Sequence, residues 1–267
     1  MKKKTIGVLL LVASLGLSSC NLPQPPQTPA VPSPTSTLNG GMLTVTDTPS
    51  SPQSTQSTDG DSPCDNGYFP NDDGTTWTYS GQNSATGGYT RTDEVSNSTD
   101  DGFTTTTTLT KITYETEFTC TQAGIINLLA AGGWLSAFFS GPNGSVEVTP
   151  TMNTGITLPK EFKVGDTWDQ YLAWNAASTK GNQNGSFNYH YTAMGLEVVT
   201  VPAGTFDAMR INATIDVELG TYQKMNGAYT VSTWWVKDVG PVKMEGSMDM
   251  PGLKFTDTLE LESYDSP

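Results

Sequence analysis

After its first four residues, the first third of this chain carries no positive charge. No Lys or Arg occurs between Thr5 and Thr90, and the 267 residues carry 13 basic against 27 acidic side chains. Such a balance repels phosphate backbones, which sets nucleic acid aside as a partner. There is one histidine, His190, and there are three cysteines, Cys20, Cys64 and Cys120. Isolated cysteines without a C-x-x-C spacing make a poor zinc site, so neither metal nor cofactor is expected. A Ser-His-Asp centre would have to use His190, yet the chain has no G-x-S-x-G elbow. Tyr189 and Tyr191 flank that histidine, as in an aromatic-rich strand. Glycine-rich phosphate loops are also missing, and no apolar run approaches the ~20 residues of a membrane-spanning helix.

At the start of the chain, Lys2, Lys3 and Lys4 precede the apolar stretch Ile6 to Leu17, which Leu17-Ser18-Ser19-Cys20 closes. This resembles a bacterial lipoprotein signal with its lipobox, the alternative being an ordinary secretory signal with a chance cysteine. The resemblance implies cleavage before Cys20 and attachment of diacylglycerol and a fatty acyl group such as palmitate to it. At ~0.8 kcal/mol per buried methylene, two or three chains hold a protein on a bilayer almost permanently. The implied address is the cell envelope, on the outer face of the cytoplasmic membrane or on the outer membrane. Loss of the three lysines would leave 10 basic against 27 acidic residues, a formal charge of −17.

Residues 20–63 form a second region, the lipidated cysteine followed by a linker. Residues 21–63 hold nine of the 17 prolines, many Ser and Thr, and no aromatic or basic side chain. Nothing there can bury a core, so disorder is expected, with polyproline character early on. As a coil its ends would lie roughly 35–40 Å apart. Residues 1–19 are thus read as signal, 20–63 as tether and 64–267 as a β-rich globular domain.

Cys64 and Cys120 remain as an even pair in an oxidising compartment, and a disulfide between them is expected. In the domain, residues 103–120 are Thr-rich and strand-like, with Phe103 and Leu109 on one parity and Ile112, Tyr114 and Phe118 on the other. A bulge or a switch of buried face is expected near Thr110. Residues 196–201, 208–218, 228–236, 242–250 and 253–264 read as further strands. Pro202-Ala203-Gly204, Asn226-Gly227, Gly240-Pro241 and Pro251-Gly252 read as turns between them. The cadence indicates a mainly β fold, a meander of antiparallel hairpins. Residues 123–139 (AGIINLLAAGGWLSAFF) are the exception: Ile125, Leu128 and Leu129 have helical spacing, and Gly132-Gly133 interrupts it. This short apolar helical segment is expected either to pack on the sheet's concave face or to act as a flap over lipid or an apolar ligand.

Carboxylates offer little chemistry. Asp72-Asp73, Asp93-Glu94 and Asp100-Asp101 are read as solvated loop pairs. A cluster of Asp59, Asp61, Asp65 and Asn66-Gly67 hints at calcium, but Pro63 stands where such a loop needs a ligand. Aromatics are the better binding candidates. Trp234 and Trp235 are adjacent, so on a strand they point to opposite faces. With Trp134, Phe138 and Phe139 they form the proposed ligand-contacting set.

Two segments echo each other: Tyr68-Phe69-Pro70 with Gly74-Thr75-Thr76-Trp77, and Leu158-Pro159-Lys160 with Gly165-Asp166-Thr167-Trp168. Each places Pro before a polar turn, then a Gly suited to positive φ, then a Trp that opens a strand. Together with GLEVVTVPAGTFDAMRI and Trp234-Trp235-Val236-Lys237-Asp238-Val239-Gly240-Pro241-Val242-Lys243, these resemble the β-rich envelope domains of the TapB-like, domain-of-unknown-function type. Asp238 stands where that pattern has its first Gly. The resemblance implies a strongly curved antiparallel sheet or half-barrel, and it brings no catalytic residue. The expectation is a lipid-anchored, non-enzymatic envelope protein that binds an apolar ligand or an envelope component. A structural or adhesive surface module is the alternative.

Overall fold

The computed structural model describes residues 62–110, 112–128, 147–177, 182–220 and 225–267. The signal segment, Cys20, nearly all of the tether, and Trp134, Phe138 and Phe139 lie outside these residues. Thirteen strands form: β1 (Thr76–Asn83), β2 (Gly87–Thr99), β3 (Gly102–Leu109), β4 (Ile112–Thr121), β5 (Gly124–Asn127), β6 (Glu147–Gly155), β7 (Leu158–Pro159), β8 (Thr167–Ala177), β9 (Gln183–Val201), β10 (Gly204–Leu219), β11 (Met225–Val236), β12 (Gly240–Met250) and β13 (Leu253–Asp265). They make one antiparallel sheet in the order β6-β8-β9-β10-β11-β12-β13-β1-β2-β3-β4-β5-β7. No helix occurs among the described residues.

Period-two burial sets the inner face. Leu172, Trp174 and Ala176 of β8, Ile211, Ala213, Ile215 and Val217 of β10, and Phe103, Thr105 and Thr107 of β3 are all buried, with more exposed residues between them. Register shifts interrupt the ladders at Thr78/Tyr79, Arg210/Ile211 and Trp234/Trp235. Such bulges bend strands and let a wide sheet curve.

The ladder itself is not closed, but one segment joins its ends. Residues 147–155 pair with β8 at one edge, and two residues later Leu158–Pro159 pair with β5 at the other. A polar seam secures this junction. The fully buried Gln170 side chain accepts from Thr157 Oγ1 at 2.8 Å and donates to Asn127 O and Asn153 Oδ1, each at 3.1 Å. Thr157 Oγ1 also accepts from the Asn127 amide at 2.8 Å, and Asn153 Nδ2 donates to Asn127 O at 3.0 Å. Buried polar groups persist only when paired, so this network specifies one way of bringing β5 to β8.

The residues before β1 stop one end of the curved sheet. Cys64 is bonded to Cys120 at the end of β4. Buried Asn66 donates to Pro159 O and accepts from the Tyr68 amide, both at 2.9 Å. Phe69 then reaches inward, 5.2 to 5.9 Å from the ring centres of Trp77, Phe103, Phe118 and Trp235. The echoed segments have matching geometry: Gly74 and Gly165 take φ of 89° and 90°, and Trp77 and Trp168 are each the second residue of their strand.

Four expectations need correction. Residues 103–120 are two strands, not one with a bulge; the chain reverses at Thr110, whose φ of 41° makes the hairpin turn, and Phe103 stacks on Phe118 at 4.7 Å. The front of the apolar segment is strand β5, not helix. Gly124, at φ 145°, lies so close to Leu158 O and Pro159 that backbone pairing wins over helical spacing. Asn226-Gly227 is no turn but lies within β11, where a Cβ on Gly227 would fall 2.3 Å from that of Met250. Gly240-Pro241 opens β12; the turn before it is held by Asp238, whose φ of 59° is the left-handed geometry for which the resembling pattern uses Gly.

Candidate functional site: a cavity inside the curved sheet

Alternation along β2 places Tyr89, Arg91, Asp93 and Val95 on the inner face. Asp93 is therefore not a solvated loop carboxylate but a buried one, while Glu94, Asp72, Asp73, Asp100 and Asp101 are exposed. Arg91 grips Asp93 through two parallel contacts, Nε to Oδ1 and Nη2 to Oδ2, both 2.9 Å. Thr107 Oγ1 from β3 donates to the same Oδ1 at 2.7 Å. The guanidinium lies 6.0 Å from the Tyr79 ring centre. Burial works against its charge, but Asp93 and then Tyr114 outweigh burial and raise its pKa. Burial first, then the Asp93 charge, pushes the Tyr79 phenol well above its ordinary value, and its hydroxyl donates to Pro241 O at 2.8 Å.

This ion pair borders a partly open cavity of about 330 Å³, near the lower end of the ~300–1,000 Å³ typical of small-molecule sites. Phe69, Trp77, Phe118, Trp235, Met244 and Leu259 supply its apolar wall. Thr105, Thr107, Thr116, Tyr114 and the Arg91–Asp93 pair supply its polar wall. Deeper along the inner face, Tyr89 Oη donates to Asp257 Oδ2 at 2.9 Å. Gly81 and Gly246 make room for the Tyr89 and Tyr229 side chains: a Cβ there would lie 2.3 Å from Tyr89 Cζ and 2.0 Å from Tyr229 Oη. Burial, aided by the Asp257 charge, pushes Tyr229 up to about 12. Burial raises the Asp257 carboxyl, partly offset by the Tyr89 hydrogen bond.

Of the two described members of the proposed aromatic set, Trp235 lines the cavity. Trp234 points to the opposite face, donating to Glu197 Oε2 at 2.9 Å with Lys243 Nζ 5.2 Å from its ring centre. There it packs under the returning β9–β10 hairpin with Val199, Val201 and Ala208. His190 is exposed on β9 beside Asp169 at 2.7 Å and Asn188 at 2.9 Å; no serine or cysteine joins them among the described contacts. No group of metal-ligating side chains occurs among the described residues, and Asn66 spends its side chain on Pro159 and Tyr68. Sequence reasoning missed Arg91 and Asp93. Their signal was the alternation Y-x-R-x-D-x-V, which puts the first basic residue after Lys4 on a strand's apolar face.

No curated protein matches this chain. Two solved structures are similar in shape. One, from Bacteroides fragilis NCTC 9343, is described as an exported protein with a YmcC-like fold; it is 14% identical, with a TM-score of 0.49, covering 74% of this chain and 99% of that one. The other, from Parabacteroides distasonis ATCC 8503, is described as a lipoprotein; it is 16% identical, with a TM-score of 0.48, covering 76% of this chain and 99% of that one. In sequence, residues 142–251 of the chain, from before β6 to the end of β12, are similar to the DUF3108-like family.

Proposed function

We propose that this protein is a lipid-anchored envelope component, of the TapB-like type, whose curved sheet binds an apolar or amphiphilic molecule without transforming it. The observation that carries this reading is the cavity, with its apolar wall of Phe69, Trp77, Phe118 and Trp235. Cys20 is the anchor, residues 20–63 the tether, and the envelope the compartment. The test uses the full chain carrying Cys20→Ser. Absence from the membrane fraction and saturable fluorescence enhancement of N-phenyl-1-naphthylamine at one site per chain are the expected results. Retained membrane association refutes the anchor, and no dye uptake refutes the binding role. A second reading, a surface that docks a protein partner, draws on Leu196 and Val198, apolar residues 68% and 72% exposed on one face of β9.

A further inference from the structure

We infer that the cavity selects an amphiphile with an uncharged, hydrogen-bonding head, such as a hydroxyl, ester or glycerol group; the inference rests on the binding role proposed above. The cavity lining has two cations, and both are already matched: Arg91 Nε and Nη2 are committed to Asp93, and Lys243 Nζ lies over Trp234 and pairs with Glu245 Oε1 at 2.8 Å. A carboxylate or phosphate head would meet that guanidinium only in the presence of Asp93, 2.9 Å from it, with the Asp257 carboxyl further along the same face. A cationic head would have to share Asp93 with both Arg91 and Thr107. Either ion would give up its hydration without a free counter-charge, which is costly in a mostly apolar cavity.

A neutral head meets no such conflict. Arg91 keeps Nη donors beyond those that hold Asp93, and its side chain remains 30% accessible. Thr105, Thr116 and Tyr114 add hydroxyls that have no hydrogen-bond partner among the described residues and can donate or accept. In the same lining, Phe69, Trp77 and Trp235 offer apolar faces to an acyl chain or ring. One cavity thus offers hydroxyls to a head and aromatic faces to a tail.

The test is calorimetric titration of the full-length Cys20→Ser chain with four probes below their aggregation limits: 1-decanoylglycerol, decanoate, decyltrimethylammonium and glycerol. Binding of 1-decanoylglycerol at least about tenfold tighter than either ion, with glycerol silent, is expected. Equal or tighter binding of decanoate or of the ammonium overturns the selection of a neutral head but leaves the binding role standing. No binding by any tailed probe overturns the binding role itself. To place the site, Met244→Trp fills the cavity from β12 and should abolish uptake, and Thr116→Phe does the same from β4 should the first variant fail to fold. Undiminished binding in a folded variant overturns the location and the inference with it.

Discussion

Replacing Gln170 with leucine tests the junction that brings β5 to β8. The side chain is 1% exposed and makes three hydrogen bonds, to Thr157, Asn127 and Asn153. Leucine is similar in size, so the cavity term is small and the polar term dominates. Afterwards Asn153 Oδ1 loses its donor from Gln170. Thr157 loses its acceptor but still receives the Asn127 amide, and Asn127 O keeps Asn153 Nδ2. One fully orphaned group at ~1–3 kcal/mol and two weakened ones at ~0.5–1 kcal/mol each, less a gain from the apolar side chain, give a loss of about 2–4 kcal/mol. For a domain of this size the urea m-value is about 2–3 kcal/mol/M, so the midpoint should fall by roughly 1–2 M with m unchanged. Hydrogen exchange should rise first in β5 and β8. A midpoint within about 0.2 M of the unmodified chain would show that the seam is not what holds the two ends together.

Three further outcomes follow from the geometry. Replacing both Cys64 and Cys120 with serine should cost about 2–4 kcal/mol by urea unfolding, because the bridge closes a loop of 56 residues and holds the plugging segment to β4; an unchanged midpoint would remove it from the fold's supports. Gly246→Ala forces the Tyr229 ring aside and should cost about 1–3 kcal/mol. Tyr229→Ala should cost less in that background than alone, and strict additivity in the cycle would contradict the contact. Asp257 has a folded pKa above its ordinary 3.8, so the folded state holds that proton more tightly than the unfolded chain. The stabilisation is complete below 3.8 and is lost as pH rises through the raised value. Asp257→Asn, which keeps an acceptor for Tyr89, should therefore raise the melting temperature at pH 7 and have little effect near pH 3; the opposite ordering would refute the assignment.

The β meander was readable because strand alternation over β9 to β13 is supported by two of the four turn readings: Pro202-Ala203 and Pro251-Gly252 join strands as their turn chemistry indicates. The errors came where backbone approach overrode a local pattern. Gly227 looks like a turn residue but is small because Met250 crosses it, and Gly124 permits a strand where Ile125 and Leu128 suggested a helix. Thr110 hid a hairpin, since a β-branched residue at φ 41° gives no turn signal. Trp235 was legible as one of an adjacent pair, but which of the two faces inward depends on the pairing with β10 and β12. The polar wall was the least legible part. Arg91 and Asp93 read as surface residues in isolation, and only the packing of the sheet's inner face around β2 turns them into a cavity's ion pair.

The most direct test of the account is native mass spectrometry of the mature protein, purified from its own membranes in a gently removable detergent, followed by extraction of whatever travels with it. The account predicts one neutral amphiphile per chain, lost from the Met244→Trp variant. A uniform apo mass for the unmodified chain would contradict it and leave the sheet as a surface for protein partners.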